Sequence, residues 1–319
     1  MIIKKLEIEL TSACNAKCPL CKRTSILEKG LPLAISSYSI DDIEHMFNDV
    51  DLTDSKIKMC GVLGDPIACK DLLLITEYFL LEKGVGNIEV STNAGLKTKK
   101  FWNDYGELSA LSDGRLEVHF AVDGVTRNDY RVGVNLTKVW DNIDTYLKAK
   151  GHAIWQYIIF DYNEHELDDA RRIAKEKGMV FATRTAWKNT TKKDEYKKVI
   201  KQSVERTYDI GNISCQHLND QEIYIASDRT VWPCCYLFDE YVAAQSDVKR
   251  QGDMNKLKDA FGSNFNSLDH YTLNEIINNE WFDKLIEESL EKNHGLNLAR
   301  CWKSCGDHGK RRTQKNVES

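Results

Sequence analysis

Three cysteines near the start of the chain, Cys14, Cys18 and Cys21, have the spacing CxxxCxxC and directly follow an apolar run at residues 2–10. The run predicts a β-strand, so the cysteines fall on the loop after it. Three thiolates on one tight loop can hold three corners of a cubane iron–sulfur cluster and leave its fourth iron without a protein ligand. Zinc with a fourth ligand from elsewhere is the alternative, although zinc sites more often have paired CxxC spacings. The loop is therefore predicted to be a metal site, with iron–sulfur favoured.

The rest of the composition is that of an ordinary globular protein, with 319 residues, 42% hydrophobic residues, 29% charged residues and a net charge of −5. This mild charge gives no strong signal for nucleic-acid binding or for a membrane surface. The N-terminus has no secretory signal pattern, and no window approaches ~18 uninterrupted apolar residues, so a cytoplasmic protein is expected. Because the cytosol keeps thiols reduced, the ten cysteines are expected to be metal ligands rather than a disulfide framework.

A second group of cysteines lies near the C-terminus. It contains Cys215, Cys234, Cys235, Cys301 and Cys305. The two remaining cysteines, Cys60 and Cys69, are isolated, and isolated cysteines are most often buried thiols with a packing role. The chain is therefore predicted to hold two separate thiolate sites.

Apolar periodicity predicts a regular alternation of helices and strands over the first 185 residues. After the first strand, helices are predicted at residues 39–50, 71–82, 98–108, 137–150 and 164–177, and strands at 56–60, 87–92, 115–122, 152–160 and 180–185. Strands that alternate with helices form parallel βαβ units, and six strands predict a (β/α)6 partial TIM barrel with its site at the carboxyl ends of the strands. A doubly wound open sheet fits the same pattern, so periodicity leaves both folds open.

The predicted barrel occupies residues 1–188 and is followed by a small C-terminal α+β domain at 213–309. Residues 189–212 are polar with interleaved charges of both signs, which is typical of a solvated linker helix. In the second domain, a hairpin is predicted from residues 222–226 and 230–232, followed by a helix at 273–290. The last residues, 310–319, are polar and are expected to be a frayed tail.

The cysteine spacing resembles the signature of the radical S-adenosylmethionine (SAM) enzymes, and the whole chain resembles their SPASM/twitch subgroup. The resemblance implies that Cys14, Cys18 and Cys21 hold a [4Fe–4S] cluster whose fourth iron is chelated by SAM. The family often has an aromatic residue before the last cysteine, beside the adenine, and Leu20 occupies that position here.

Two further segments resemble the SAM contacts of this family at the ends of the second and third predicted strands. Gly64 and Asp65, followed by proline, resemble a Gly-Gly-Glu-Pro turn that meets the methionine amino group, with aspartate in place of glutamate. Glycine suits a turn where the backbone must approach a ligand closely. Ser91 and Asn93 lie in a segment that resembles the family's Ser-Thr-Asn-Gly stretch beside SAM.

After the fourth predicted strand, Asp123 resembles the acid of a Ser-x-Asp-Gly segment that contacts the SAM ribose, with Ala121 at the usual serine position. Arg131 resembles an arginine that pairs with the SAM carboxylate, a contact for which the planar guanidinium is well suited. Each of these matches is weak alone. Because all occur in order, each after its own strand, they favour the radical SAM interpretation over zinc.

The C-terminal cysteines resemble a SPASM-like domain that carries one auxiliary [4Fe–4S] cluster. The implied ligands are Cys215, Cys234, Cys301 and Cys305, with Cys235 as a spare or substitute. Four thiolates would leave this cluster without an open iron, which suits electron transfer or structural support. A structural zinc ion would accept the same four ligands and remains the alternative.

The resemblance implies reductive cleavage of SAM to methionine and a 5′-deoxyadenosyl radical, which abstracts hydrogen from a small-molecule or peptide substrate. A one-electron donor such as flavodoxin or ferredoxin is then required. A free-standing substrate is favoured because the predicted barrel begins at residue 2 and leaves no room before it for a peptide-recognition domain. The alternatives are a RiPP-type peptide maturase and a zinc-stabilised interaction protein. His165 is a candidate to line the site, and no general acid or base is identified.

Overall fold

A computed structural model describes residues 2–185, 213–245, 247, 250–291, 295–306 and 315–318. The predicted linker helix at 189–212 lies outside the described residues, as does most of the predicted tail at 310–319. The boundary between the two predicted domains therefore stays a prediction.

Within the described residues, nine strands form one sheet. The strands are β1 (Lys5–Ile8), β2 (Lys56–Met59), β3 (Asn87–Thr92), β4 (Leu116–Ala121), β5 (His152–Ile159), β6 (Val180–Thr185), β7 (Glu222–Ile225), β8 (Val231–Trp232) and β9 (Lys315–Glu318). Their order is β8-β7-β1-β2-β3-β4-β5-β6-β9, and β1 to β6 are parallel neighbours in chain order. A doubly wound sheet would reverse its strand order partway, so the observed order confirms the predicted partial TIM barrel.

Helices connect the strands and cover the outer face of the sheet. They are α1 (Lys22–Glu28), α2 (Ile40–Phe47), α3 (Leu72–Glu77), α4 (Lys99–Leu111), α5 (Leu136–Lys148), α6 (Leu167–Lys177), α7 (Gln216–Asp220), α8 (Cys235–Ala244), α9 (Gln251–Phe261), α10 (Leu273–Ile277), α11 (Ile286–Glu288) and α12 (Ala299–Cys305). Short 3-10 turns occur at Pro66–Ala68 and Glu164–Glu166, and π-helical turns at Tyr78–Glu82 and Trp281–Leu285. Among the described helices, none has the length and apolar character needed to cross a membrane.

The single helix predicted at 273–290 is interrupted after Ile277. Asn279 explains the break, because its side-chain oxygen accepts the backbone N–H of Phe282 at 3.1 Å while its amide donates to the Phe265 carbonyl at 3.1 Å. Asparagine side chains compete in this way with helical hydrogen bonds. The helical spacing of apolar residues continues past Ile277, so the sequence shows no sign of the break.

Alternate residues of the strands separate an apolar outer face from a polar inner face. Ile57, Met59, Ile88 and Val90 point outward and are at most 1% exposed beneath the helices. Aromatic side chains of α4 and α5 pack against this face, for example Trp102, which lies 5.7 Å from Phe120 of β4 between ring centroids. The core is therefore the layer between sheet and helices.

The C-terminal hairpin is part of the barrel sheet rather than a sheet of its own. Strand β7 pairs in parallel with β1 and antiparallel with β8, and the turn between β7 and β8 places Arg229 at a φ of 65°. On the opposite edge, β9 pairs antiparallel with β6. This differs from the frayed tail predicted at 310–319, because an open sheet edge offers unpaired backbone groups to which a polar segment can also bond.

Candidate metal and cofactor site

The loop after β1 holds the three N-terminal cysteines in a fixed conformation. Its start is tied to the segment before α2, since the Ser12 N–H donates to the Ser36 carbonyl at 3.0 Å. Its middle is tied to the loop after β4, since the Lys17 N–H donates to the Val132 carbonyl at 2.8 Å. Cys21 then directly precedes α1. The thiols are thus held by backbone contacts on both sides.

The environment of these thiols fits a cationic iron–sulfur core. Burial, together with the charges of Asp65, Cys18 and Cys21, raises the pKa of Cys14 to about 12. Burial also raises the pKa of Cys18, although the Arg131 guanidinium opposes the increase. Three thiolates this close would repel one another without a bound cation, and thiolate ligation to iron removes that penalty. The donor set therefore suits a cluster held by three cysteines.

The turn after β2 is pressed against the cysteine loop. A Cβ on Gly64 would lie 1.7 Å from the Thr11 carbonyl oxygen, so only glycine fits there. The buried Glu9 carboxylate fixes the turn by accepting the N–H groups of Leu63 at 2.6 Å and Gly64 at 3.0 Å. The next N–H, that of Asp65, donates to the Ala13 carbonyl at 2.9 Å. The glycine predicted from the motif is therefore required by the close approach of two backbones.

Asp65 and Asn93 form a hydrogen-bonded pair that reaches the cysteine loop. Asp65 Oδ2 accepts the backbone N–H of Asn93 at 2.8 Å and its side-chain amide at 2.6 Å, while Oδ1 caps the 3-10 turn through Ile67. The same Asn93 amide lies 3.1 Å from Asn15 Oδ1 and 3.8 Å from Cys14 Sγ. Burial raises the pKa of Asp65, and the backbone hydrogen bond from Asn93 opposes that increase only in part. The structure thus brings Asp65 and Asn93 beside Cys14.

Asp123 and Arg131 form a second pair, on the other side of the cysteine loop. Arg131 Nε lies 2.9 Å from Asp123 Oδ2, and Arg131 Nη1 lies 3.9 Å from Cys18 Sγ. Burial opposes the charge of Arg131, but the charges of Asp123 and Cys18 outweigh it and raise the arginine pKa. Arg131 therefore stays cationic beside the thiol group and compensates the buried Asp123 carboxylate.

Two predicted contact residues lie at the margin of this network. Leu20 is half-buried on the cysteine loop. Ser91, half-buried on the inner face of β3, donates to Glu89 Oε1 at 3.1 Å. Their predicted contacts with SAM stay predictions.

Sequence reasoning missed the residues that position Asp123. Tyr162 and Asn163 follow β5 and both donate to the Asp123 carbonyl oxygen, at 2.7 Å and 2.8 Å. Glu166 accepts the Val125 N–H at 2.7 Å and fixes the next turn. His165, which was predicted as a candidate to line the site, is exposed instead. The position of Asn163 directly after a predicted strand could have marked it as a site residue, but the nearby His165 was the predicted candidate instead.

The C-terminal thiols separate into a group of four and one outlier. A single cavity is lined by Cys215, Cys234, Cys301 and Cys305. Burial raises the pKa of Cys301, and its neighbours Cys215 and Cys305 raise it further. Cys235 does not line this cavity. Burial also raises the pKa of Cys235, and the charge that contributes most to that increase is Glu7 on the inner face of β1.

The group of four matches the predicted auxiliary ligand set in composition, and a cluster or zinc would both suit four thiolates. All ten cysteines lie in the described part of the chain as thiols. No group of three or more His, Cys, Asp or Glu side chains within the described ranges has the arrangement needed to hold a single metal ion.

The isolated cysteines differ from each other. Cys69 is fully buried and donates to the Tyr38 carbonyl at 3.5 Å, which agrees with the predicted packing role. Cys60 is half-buried on the inner face of the sheet, where its thiol donates to Glu7 Oε1 at 2.7 Å. The packing role predicted for Cys60 stays a prediction, and strand alternation places this thiol on the polar inner face rather than under the helices.

No protein-family model and no curated protein matches this chain. Solved structures with a similar fold include anSMEcpe with bound AdoMet, which is 15% identical, with 90% of this chain and 80% of that chain covered and a TM-score of 0.52. Native anSMEcpe with bound AdoMet and Cp18Cys peptide is 14% identical, with 95% and 88% covered and a TM-score of 0.55. Streptococcus suis SuiB bound to S-adenosylmethionine is 13% identical, with 79% and 68% covered and a TM-score of 0.50.

At these identities the similarity shows the fold. The sheet of parallel strands with its covering helices is the partial barrel seen in these structures, as the alternation of strands and helices predicted.

Proposed function

From the radical SAM fold of this chain, we propose that it is a radical SAM enzyme whose active cluster is held by Cys14, Cys18 and Cys21. When bound, a [4Fe–4S] cluster with SAM on its open iron would supply the reductive cleavage that yields a 5′-deoxyadenosyl radical for hydrogen abstraction. The protein's own contribution is to bind and orient SAM and substrate and to exclude water.

One observation carries this proposal. The side chains predicted from the motifs after β2, β3 and β4 form two hydrogen-bonded pairs, and each pair approaches one thiol of the loop after β1. Asn93 approaches Cys14, and Arg131 approaches Cys18. A structural zinc site would not require a buried arginine and a carboxylate–amide pair around it.

The chain's own residues have distinct roles in this proposal. Arg131, cationic and mostly buried, would pair with the SAM carboxylate through the donors that Asp123 does not use. Asp65 would hold Asn93 in place and accept from the methionine amino group. Asp123 would accept from the ribose. Leu20, Gly64 and Ser91 complete the expected surface for SAM.

The auxiliary site is proposed to hold a second [4Fe–4S] cluster through Cys215, Cys234, Cys301 and Cys305. The support is that all four thiols line one cavity. Its closed ligand set would suit electron transfer or structural support. Cys235 is assigned no ligand role because it does not line this cavity.

The substrate is proposed to be a small molecule or a peptide, with a flavodoxin or ferredoxin as the one-electron donor. One structure of similar fold holds a bound Cp18Cys peptide, which makes a peptide maturase the alternative for this chain. Its thiol-rich sites require a reducing compartment, so the cytoplasm is proposed as its location.

The proposal is tested by anaerobic reconstitution with iron and sulfide, followed by incubation with SAM and a reductant. We expect about eight iron atoms per chain and the formation of 5′-deoxyadenosine. Cys18→Ala should abolish 5′-deoxyadenosine and lower the iron content to about four per chain. Cys235→Ala is the matched control and should retain both. A colourless protein that holds only zinc after reconstitution would refute the proposal.

A further inference from the structure

A row of charged side chains crosses the inner face of the barrel. Glu7 of β1 pairs in register with Lys58 of β2, Lys58 with Glu89 of β3, and Glu89 with Glu117 of β4. All four side chains point to the same side of the sheet because residues in register share a face. The row lies four residues before Asn93 on β3, roughly 13 Å along the strand.

The inner face along this row is accessible, although the outer face is sealed. The side chains of Lys58, Glu89 and Glu117 are 37%, 25% and 38% exposed. The outward neighbours Ile88 and Val90 are 0% exposed. A closed TIM barrel usually fills its interior with branched apolar side chains. This interior presents charges to an open space instead, which suits a polar ligand.

Neighbouring side chains fix the carboxylates of the row in place. Glu7 Oε1 accepts from Lys58 Nζ at 3.2 Å and from the Cys60 thiol at 2.7 Å. Glu89 Oε1 lies 3.4 Å from His119 Nδ1 and accepts from Ser91 at 3.1 Å. The row is therefore a preorganised set of acceptors rather than a mobile surface patch.

Tyr224 adds a second, independent indication of a ligand. It stands in register with Glu7 on β7 and is 0% exposed. Its hydroxyl has no hydrogen-bond partner in the described part of the molecule. Because residues in register share a face, the Tyr224 side chain lies on the inner face next to Glu7, at the end of the row. A buried hydroxyl without a partner is costly, and a bound ligand would satisfy it.

We infer that the row formed by Glu7, Lys58, Glu89 and Glu117, with Tyr224, binds the substrate of the proposed enzyme through an ammonium group on that substrate. The inference rests on the proposed function, since it names the substrate class of the same barrel. The row has three carboxylates beside the Lys58 ammonium and the His119 imidazole, which lies next to Glu89 and Glu117, so a cationic ligand complements it better than an anionic one. An ammonium group held there would direct the rest of the substrate toward Asn93.

Binding is tested on the full chain without SAM, by saturation-transfer NMR with glucosamine and with Nα-acetyl-lysinamide. The matched neutral probes are N-acetylglucosamine and Nα,Nε-diacetyl-lysinamide. We expect each cationic probe to bind about tenfold more tightly than its neutral partner, or about 1.4 kcal/mol. A preference for glucosamine indicates a small-molecule substrate, and a preference for the lysine probe indicates a peptide substrate.

Two variants locate the site. Glu89→Gln should weaken binding of the cationic probe about tenfold, while Glu107→Gln on the exposed face of α4 should not. Tyr224→Phe should weaken binding without lowering the melting temperature, because it removes only the unpartnered hydroxyl, and Tyr271→Phe is its exposed control. Equal binding of cationic and neutral probes, absence of binding by both, or unchanged binding in Glu89→Gln would overturn the inference.

The experiments distinguish a failure of the proposed radical SAM function from a failure of the proposed ammonium site. Loss of 5′-deoxyadenosine formation in the reconstituted enzyme, with the cationic preference intact, would refute the radical chemistry and leave the ammonium site standing. Normal 5′-deoxyadenosine formation without the cationic preference would refute the ammonium site alone.

Discussion

Single residues hold the cysteine loop in place, and Gly64 has the least room of the glycines in the described chain. The space that a Cβ would occupy there is filled by the Thr11 backbone. The Glu9 carboxylate holds the same turn in place by accepting hydrogen bonds from the N–H groups of Leu63 and Gly64. The position of the thiols therefore depends on a backbone contact that no side chain could replace.

Gly64→Ala should destabilise the protein by about 2 kcal/mol or more, because the methyl group forces apart two backbone segments. Urea denaturation measures the change. Gly252→Ala is the control, since a Cβ on Gly252 in α9 meets nothing within 4 Å, and it should leave the stability unchanged or slightly raised. Equal stability of the two variants would contradict the close packing of the turn on the loop.

Arg131→Met should cost about 3 kcal/mol or more, because it leaves the Asp123 carboxylate buried without its cation. Adding Asp123→Asn to that variant should restore part of the loss, since the amide keeps an acceptor for the Ile158 N–H and removes the charge. The double-mutant cycle in urea measures the coupling. If the two changes are additive, the ion pair does not stabilise the fold as described.

Sequence motifs were sufficient to predict the side chains that meet at the candidate site and insufficient for those that position them. The cysteines, Asp65 and Asn93 stand in recognisable local patterns. Asn15 and Asn163 act on partners far away in sequence, and a single asparagine has no pattern that reveals such a partner. The sequence also left open which face of the sheet Cys60 occupies, because a position inside a barrel and a position under helices look alike in a sequence.

At the level of elements, α2 is coupled to the C-terminal hairpin. Ser39 and Asp42 form a capping box at the start of α2, and Asp42 Oδ1 also accepts from Arg229 of the hairpin turn at 2.9 Å. Burial raises the pKa of Asp42, but the hydrogen bonds from Ser39 and Arg229 together outweigh it and lower the pKa to about 2. One carboxylate thus stabilises both a helix start and a contact between distant segments.

Asp42→Asn should lower the stability by about 1 kcal/mol at pH 7, a value reduced by the partial exposure of the pair. Because the folded-state pKa lies below the ordinary value of about 4, the ionised carboxylate stabilises the fold above about pH 4. That contribution should disappear as the pH falls from about 4 to about 2. Melting temperatures of both proteins between these pH values measure it, and a constant difference would contradict the account.

Most elements of the barrel could be predicted because their apolar periodicity is strong. The strands β3 and β6 have the predicted bounds, and the helices differ by a few residues at their ends. The break after Ile277 could not be predicted, since it depends on a hydrogen bond from Asn279 to Phe265 in another segment.

At the level of the whole molecule, the polar inner face links the two thiol groups. Its charged row lies on strand positions that precede Asn93, which approaches Cys14. Cys235, which is adjacent to Cys234 of the C-terminal group, has its pKa raised by burial and by the charge of Glu7 in the row. The pairing of β7 with β1 brings these parts together. This pairing could not be predicted, because parallel pairing between segments about 200 residues apart leaves no local pattern.

The central claim is that a cluster held by Cys14, Cys18 and Cys21 binds SAM directly. Electron paramagnetic resonance of the reconstituted, reduced protein tests it with and without SAM. The account predicts a reduced-cluster signal whose shape changes when SAM is added, in the unmodified protein and in Cys235→Ala, and no SAM-dependent change in Cys18→Ala. A cluster signal that SAM leaves unaltered in the unmodified protein would contradict it.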